Sequence, residues 1–447
     1  MVCIVLMGIF LFTYYGSANP EIKVTINSRK CSFEPPPLIV NDRVMVPLRF
    51  LVENDSIKGQ VKWKAESQAV TIIACGKTIK VAVGSQKVTV DGQFHSDLDS
   101  PPFIHMDRTY VPIRNIVEIL GGQVDWNNSD REVLIQIESE PEVFAYYYYR
   151  SFEELKANID LFTSIAFRWF ETNEKGELFY EYQDNYSDIL AYCRDHGVST
   201  HASVVLMGAE PLHALLSNQK NRARLIGNLL HEVKNNHYDG VNIDFELIDP
   251  KDAEKFTAFL RELKTSLGPD YVLSVAVFAR TGNENWPTPY QYREIGKIAD
   301  KVIVMAYDYS YKTSAPGPIA PIWWVKQVIA YMSSNIPKEK LLLGMPTYGY
   351  DWNSTGSAVT VTQSRLADLK KKYELKEYFD NESMSPYYTY ADHKGQYHQI
   401  WLENEKSLQE KYDLAVENGW GGISFWRIGN GFRDLYAVLE KEQKGGY

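Results

Sequence analysis

The chain has 447 residues, which is enough for two or three domains and at least one large core. Apolar residues make up 45% and charged residues 23% of the sequence, as in an ordinary globular protein. The net charge of −10, with no basic stripe to offset it, argues against a nucleic-acid partner.

The N-terminal residues 1–19 combine an apolar run with small residues that end at Ala18. This pattern is typical of a secretory signal with its cleavage site, although the usual positive start is missing. The run is short for a membrane span. We therefore predict a signal peptide or an N-terminal anchor over 1–19, and a protein that is secreted or held at the cell surface or cell wall.

The four cysteines carry little information about chemistry. Cys3 lies in the N-terminal segment and Cys193 stands alone. Cys31 and Cys75 are compatible with a disulfide in an oxidising compartment and equally with two buried thiols. No cysteine or histidine spacing fits a zinc site, so the sequence predicts neither a metal nor another cofactor.

An internal repeat follows. The stretch "NDRVMVPLRFLVE" from Asn41 returns as "MDRTYVPIRNIVE" from Met106, and each copy leads into a Trp-containing hairpin. The alternating apolar pattern predicts a compact β-rich domain over residues 20–138. The repeat resembles the copper amine oxidase N-terminal-like, or stalk, domain of exported bacterial proteins. Its only histidines, His95 and His105, form no copper constellation, which leaves a spacer, a wall-contacting module or a purely structural module.

After the polar joint at 138–142 the pattern changes to apolar runs that alternate with amphipathic helical stretches. This alternation predicts repeated βα units and a parallel sheet. Eight strand–helix units over residues 141–440 match the size of a (β/α)8 TIM barrel. The eight strands are predicted to begin near Val143, Ser164, Thr200, Gly240, Val272, Lys301, Lys340 and Gly421.

The fourth predicted strand, "GVNIDFE", carries polar residues inside an apolar run. Side chains alternate along a strand, so Asn242, Asp244 and Glu246 share one face, which points into the barrel. Glu246 ends the strand at the barrel mouth. Burial and a neighbouring charge should raise the pKa of one carboxyl, which could then act as a general acid. Asp249 and Asp252 fit helix capping, and we assign them no chemistry.

Two carboxyls on one strand approach a sugar from the same side. Neither can then attack the opposite face of the ring while the other protonates the leaving group. The seventh strand, read through "GMPTYGYDW", offers no second glutamate. The nucleophile is therefore predicted to come from the substrate, with a 2-acetamido oxygen as the obvious group. After this strand, "MSPYYTYADHKGQYHQIWL" predicts a small insertion at the barrel's upper face, with a hairpin that turns at 393–395.

The stretch "DGVNIDFE" resembles the DGxDxDxE signature of family 18 glycoside hydrolases, the chitinases and their relatives. "VMAYDYS" from Val304 and "GGISFWRIG" from Gly421 resemble that family's sixth and eighth strand segments. The resemblance implies that Glu246 is the general acid and that Asp244 orients the acetamido group. It further implies substrate contacts for Asn242, Met305, Tyr307, Asp308 and Trp426.

Asn242 departs from the signature, which most often has aspartate there. An amide cannot ionise, so it removes one like charge beside Asp244. This form is most similar to the bacterial spore-cortex and cell-wall N-acetylglucosaminidase branch. We therefore expect a retaining, substrate-assisted hydrolase of β-1,4 linkages next to N-acetylglucosamine in peptidoglycan or chitin. The alternatives are a chitinase proper and a non-catalytic chitin- or peptidoglycan-binding lectin on the same barrel. A third, a mainly adhesive surface protein whose barrel is incidental, rests on the stalk-like domain alone.

Overall fold

The computed structural model describes residues 22–27, 29–54, 57, 59–75, 77–137, 141–180, 184–356 and 358–445. The predicted signal or anchor at 1–19 lies outside the described residues. The chain divides into two compact units, Met1–Glu140 and Pro141–Tyr447. In the part of the chain that is described, no helix has both the length and the apolar character needed to cross a membrane.

The first unit is β-rich, as the alternating pattern predicts. Its helices are α1 (Leu48–Val52) and α2 (Ile113–Ile119). Its strands are β1 (Lys23–Ile26), β2 (Arg29–Cys31), β3 (Leu38–Val40), β4 (Arg43–Pro47), β5 (Gln60–Lys64), β6 (Ala69–Ala74), β7 (Lys77–Ala82), β8 (Lys87–Val90), β9 (Gln93–Asp97), β10 (Phe103–His105), β11 (Arg108–Pro112), β12 (Gln123–Asn127) and β13 (Glu132–Gln136).

These strands form three sheets, in the orders β12-β13-β1-β2, β10-β11-β4-β3 and β5-β6-β7-β8-β9. The repeat explains the middle sheet, because β3-β4 and β10-β11 are equivalent hairpins that meet along β4 and β11. The apolar residues of both copies, such as Val46, Leu51, Val111 and Ile116, share one core. Each copy thus covers the apolar face of the other.

The second unit contains the remaining elements. Its strands are β14 (Glu142–Tyr147), β15 (Ser164–Thr172), β16 (Leu178–Tyr180), β17 (Ser199–Met207), β18 (Gly240–Glu246), β19 (Val272–Phe278), β20 (Lys301–Met305), β21 (Leu341–Pro346), β22 (Gly349–Asn353), β23 (Ala358–Val361), β24 (Lys376–Asp380), β25 (Ser385–Ala391), β26 (Tyr397–Trp401) and β27 (Gly422–Ile428). Its helices are α3 (Phe152–Ala157), α4 (Tyr186–Asp195), α5 (Ala209–Ser217), α6 (Gln219–Asn236), α7 (Ala253–Leu267), α8 (Tyr292–Ile298), α9 (Ile322–Ser333), α10 (Gln363–Lys372), α11 (Glu405–Glu417) and α12 (Arg433–Gly445).

Eight parallel strands close into a barrel, which confirms the predicted (β/α)8 fold. The order is β14-β27-β21-β20-β19-β18-β17-β15, and β14 pairs with β15 to complete the ring. The strands are rich in Val, Ile and Phe because helices cover their outer face. In β18, for example, Phe245 stacks on Phe259 of α7 at 5.6 Å between ring centroids. The barrel interior holds Phe144, Ile303 and Leu342 beneath the mouth.

The region after the seventh barrel strand is larger than the predicted hairpin. The hairpin itself is present as β25 and β26, and it belongs to a five-stranded antiparallel sheet ordered β23-β22-β26-β25-β24. The interpretation of "GMPTYGYDW" as one strand is wrong, because β21 ends at Pro346 and β22 begins at Gly349. A β-carbon on Gly349 would lie 1.9 Å from the carbonyl oxygen of Trp401, so only glycine allows β22 to approach β26 this closely.

Candidate active site

The alternation along β18 places the two kinds of side chain as the sequence predicts. Val241, Ile243 and Phe245 are fully buried against the outer layer of helices. The other face is polar, with Glu246 opposite Met207 and Asp244 opposite Val205 of β17. This register brings Glu246 to the carboxyl end of the strands, which is the end where TIM barrels hold their active sites.

A cavity of about 760 Å³ opens at this end of the barrel. Six of the seven site residues predicted from the sequence line it: Asp244, Glu246, Met305, Tyr307, Asp308 and Trp426. The seventh, Asn242, is fully buried one step deeper in β18 and is not among the lining residues. Residues on or just after three barrel strands, β18, β20 and β27, therefore converge on one space, although they are nearly 200 positions apart in the chain.

Asn242 is held between two serines of the neighbouring strands. Its side-chain oxygen accepts a hydrogen bond from the Ser203 hydroxyl at 2.9 Å, and its amide nitrogen donates to the Ser274 hydroxyl oxygen at 3.1 Å. A buried carboxylate could not make the second of these bonds as a donor. The two contacts explain why an amide suits this position, and they fix its orientation below Asp244.

The carboxyls above Asn242 are both shifted towards the protonated form. Burial raises the pKa of Asp244 to about 6, while the positive charge of Arg168 acts in the opposite direction. Burial, together with the charges of Asp244 and Asp308, raises the pKa of Glu246 to about 8. At neutral pH the pair therefore favours an ionised Asp244 and a protonated Glu246, which can donate a proton.

One oxygen of Asp244, Oδ1, is buried and makes no hydrogen bond within the described part of the chain. An unsatisfied carboxylate oxygen is costly unless a ligand supplies a donor. Asp244 lines the cavity together with Glu246, so a substrate N–H or O–H that reaches this oxygen would satisfy it. The site is thus prepared for a ligand that donates a hydrogen bond beside the general acid.

Asp308 adopts a left-handed backbone conformation with φ of 56° directly after β20 and Tyr307. Its carboxylate accepts hydrogen bonds from the hydroxyls of Tyr348 at 2.7 Å and Tyr350 at 3.2 Å. Burial raises the pKa of Asp308, and these two donors oppose the rise. Burial and the nearby charge of Asp244 raise the pKa of Tyr307 well above its ordinary value, so its hydroxyl remains a neutral donor.

Trp426 lies on β27 at the other side of the cavity. Its ring packs 5.6 Å from Tyr146 and 6.4 Å from Tyr148, measured between centroids. The carbonyl oxygen of Trp426 accepts hydrogen bonds from both the backbone N–H and the hydroxyl of Thr347, at 2.9 and 2.8 Å. These contacts hold an aromatic surface beside the carboxyls, as a site for a sugar ring requires.

Sequence reasoning missed several of the residues that line the cavity, among them Tyr146, Tyr148, Arg168 and Tyr348. Alternation along β15 could have identified Arg168, since Phe167 and Trp169 face the outer core and Arg168 faces inward. Its guanidinium donates to Glu171 at 2.9 Å. Tyr348 was missed because it was read as part of the seventh barrel strand. Among the described residues, no three His, Cys, Asp or Glu side chains group as a metal site would require.

A closed (β/α)8 barrel with a carboxyl pair and an aromatic wall at its mouth defines a glycoside hydrolase type of site. The comparison with protein families gives the particular family. The description "Glycosyl hydrolases family 18" matches residues 142–431, and "Copper amine oxidase N-terminal domain" matches residues 25–135. The chain therefore belongs to family 18 of the glycosyl hydrolases, with a copper amine oxidase N-terminal-type domain before the barrel.

Two curated relatives come from bacilli. The chain is 33% identical over 238 residues to the putative sporulation-specific glycosylase YdhD of Bacillus subtilis. The matched region covers 52% of this chain and 57% of that protein. It is 30% identical over 239 residues to the cortical fragment-lytic enzyme of Bacillus anthracis, with 52% and 56% covered. The match thus extends over little more than half the length of these relatives.

Solved structures give the same architecture. The spore cortex-lytic enzyme SleL of Bacillus cereus superposes with a TM-score of 0.63 at 25% identity, covering 68% of this chain and 76% of that one. A chitinase from Chromobacterium violaceum superposes with a TM-score of 0.64 at 24% identity, covering 68% and 99%. At that identity the chitinase supports the fold alone.

Proposed function

We propose that this protein is a retaining, substrate-assisted glycosidase that cleaves β-1,4 linkages next to N-acetylglucosamine. The observation that carries the proposal is the placement of Asp244 and Glu246 two residues apart on one strand, both facing the cavity. Family membership supports glycoside hydrolysis. Two carboxyls on one side of a sugar leave the other face to a nucleophile within the substrate.

In the first step Glu246, protonated at neutral pH, donates its proton to the glycosidic oxygen as the bond to C1 breaks. The carbonyl oxygen of the substrate's 2-acetamido group bonds to C1 and forms an oxazolinium ion. Asp244 accepts the acetamido N–H at its unsatisfied oxygen and stabilises the positive charge. Tyr307 and Asp308 bind the acetamido group, Met305 lines the site, and Trp426 lies beneath the sugar.

In the second step Glu246, now a carboxylate, accepts a proton from a water molecule. The water oxygen bonds to C1 as the acetamido oxygen leaves, and the acetamido group is restored. Two displacements at C1 give net retention of the β configuration. Asn242 takes no proton in either step. It is hydrogen-bonded to Ser203 and Ser274 and adds no charge below Asp244.

For the substrate we propose cell-wall peptidoglycan ahead of chitin. The relatives with cortex-lytic and sporulation-specific names support this order. A chitinase proper is the second candidate, since chitinases share the fold. Action on a wall polymer accords with a secreted or wall-associated protein, and residues 1–19 are proposed as its signal or anchor. A lectin on the same barrel is disfavoured by the presence of Glu246.

The test compares the unmodified chain with Glu246→Gln on purified peptidoglycan and chitin oligomers. We expect Glu246→Gln to lose at least about 10³-fold in kcat while still binding the sugar. Glu210→Gln, which alters an exposed carboxylate of α5, is the matched control and should retain activity. Proton NMR of the fresh product should show the β anomer. An initial α anomer, or full activity in Glu246→Gln, would refute the mechanism.

A further inference from the structure

The two copies of the N-terminal repeat are related by a local two-fold arrangement. Along the β4–β11 ladder Val46 pairs with Val111, and these valines occupy the same position in their respective copies. Antiparallel pairing of equivalent residues turns one copy by half a revolution relative to the other. Any surface feature formed across the two copies therefore occurs twice.

Such a feature exists as a groove between the copies. The first groove has a volume of about 320 Å³ and combines Arg49 and Trp63 of the first copy with Ile104, Asp107 and Arg108 of the second. It lies where the helix α1 and the strand β5 of one copy face the β10–β11 turn of the other. We call it the first repeat groove.

The second repeat groove has a volume of about 550 Å³ and reverses the contributions. Arg114 and Trp126 come from the second copy, and Ile39, Asp42 and Arg43 come from the first. These five residues are the repeat equivalents of the five in the first groove. Both grooves thus share one indole ring, two guanidinium groups, one carboxyl and one isoleucine at equivalent positions. The larger second groove is also lined by Asp99, Asp125, Arg131 and Ile113.

Folding does not account for the exposed apolar side chains of the grooves, although Trp126 is partly buried and packs against the core of the unit. The core of the unit is formed by the buried residues of the repeat, such as Val46 and Val111. Trp63, Ile39 and Ile104 are instead 43%, 44% and 49% exposed. Ile39 and Ile104 occupy matching positions of the two copies, and exposed large apolar residues that recur in this way indicate a binding surface rather than a packing need.

The arginines at the groove edges are partly fixed and keep donors to spare. Arg49 pairs with Glu53 at 2.9 Å, and Arg43 pairs with Asp99 at 2.7 Å. Each guanidinium carries five N–H groups, more than these contacts use. An indole face beside such donors suits a pyranose ring, whose C–H face stacks on the aromatic ring and whose hydroxyl, acetamido and carboxylate oxygens accept hydrogen bonds.

We propose that the two repeat grooves bind sugar units of a hexosamine glycan strand, one unit or short segment in each groove. The identity of the glycan rests on the proposed function of the barrel. A polymer presents the same unit many times, and two like sites on one domain hold it more tightly than one. The N-terminal unit is then a bivalent glycan-binding module with Trp63 and Trp126 at its two sites.

The experiment uses the full chain with Glu246→Gln and Trp426→Ala, which remove hydrolysis and weaken the barrel's own contact with glycan. Binding to insoluble peptidoglycan, chitin and cellulose is measured by sedimentation. Adding Trp63→Ala or Trp126→Ala should weaken binding to the two hexosamine polymers about threefold, and adding both should weaken it at least about tenfold. Phe94→Ala, which removes a 62% exposed ring of the same unit, is the matched control.

The proposal is overturned if the double tryptophan variant binds peptidoglycan and chitin within twofold of its parent. It is also overturned if Phe94→Ala weakens binding as much as the tryptophan substitutions do, or if the parent binds cellulose as tightly as chitin. Circular dichroism and the melting temperature check the fold of each variant. Should a tryptophan variant fail that check, Arg49→Gln with Arg114→Gln replaces it and should give the same loss. Hydrolysis by the unmodified chain is scored separately, so a failed enzyme proposal and a failed groove proposal give different results.

Discussion

Asn242 places an uncharged amide in the row of polar side chains below the two carboxyls of β18. It gives Asp244 a neutral residue below it, and Ser203 and Ser274 satisfy both ends of the amide. With Asp244 at a pKa of about 6 and Glu246 at about 8, the proposed reaction needs the first ionised and the second protonated. The activity should therefore follow a bell-shaped pH profile with limbs near these values.

Replacing Asn242 by aspartate should move the acidic limb of that profile. A carboxylate two residues below Asp244 adds a like charge and so raises the pKa of Asp244. The acidic limb of the profile would then lie at higher pH, and the loss of kcat/KM relative to the parent should be largest at pH 5–6. The measurement is kcat/KM against pH on a soluble N-acetylglucosamine oligomer. An acidic limb that stays within 0.2 pH units of the parent, a margin of about 0.3 kcal/mol, would show that the position is not coupled to Asp244.

Arg168 makes a second electrostatic prediction. Its charge lowers the pKa of both Asp244 and Glu246, so Arg168→Met should raise both and move the whole pH profile to higher pH. Arg168→Lys keeps the charge and is the matched control, and it should move the pH profile much less. A profile that loses height without moving would mean that Arg168 contributes contacts rather than charge.

At the scale of elements, the sequence predicted the barrel well because each strand has a strong local pattern. An apolar run followed by an amphipathic stretch is determined by neighbouring residues, so the eight strands and the carboxyl face of β18 could be predicted without a structure. The sheet after β21 was underestimated because β22 reaches its partner β26 across more than forty residues. No local pattern encodes such a pairing, and Tyr348 and Tyr350 were missed with it.

These tyrosines give a prediction for the start of the insertion. Tyr348→Phe removes the 2.7 Å donor to Asp308, which leaves that buried carboxyl more readily protonated and less firmly held. We expect kcat/KM to fall about tenfold at pH 7, because a hydrogen bond to a charged group contributes about 1.5–3 kcal/mol. Tyr350→Phe removes the longer hydrogen bond of 3.2 Å, so its kcat/KM should fall less than that of Tyr348→Phe. The opposite ranking would contradict this reading of Asp308.

For the whole molecule, the raised pKa values carry a cost in stability. A carboxyl whose pKa is higher in the folded state than in the unfolded chain lowers the free energy of unfolding as pH rises from its unfolded value to its folded one. For Asp244 this window runs from about 4 to about 6, and for Glu246 it extends to about 8. Ionisation of these two buried carboxyls should therefore make the free energy of unfolding lower at pH 8.5 than it would be without them.

Asp244→Asn and Glu246→Gln should each relieve this cost. At pH 8.5 we expect either variant to be more stable than the parent by about 1–3 kcal/mol in urea unfolding, since an amide need not ionise. At pH 4.5 the gain should vanish, because the carboxyls are then protonated in the fold. Glu210→Gln should show no such difference between the two pH values. Equal gains at both pH values would point to packing rather than charge.

The link between Asp308 and the tyrosines around β22 has a practical consequence for protein engineering. The insertion looks like a detachable module, yet its first residues supply the donors that hold a barrel carboxylate. A chimaera that swapped everything after Pro346 would leave Asp308 without either donor. The junctions should instead be placed after Asn353 and before Tyr397, so that β22, β26 and their pairing stay with the parent barrel.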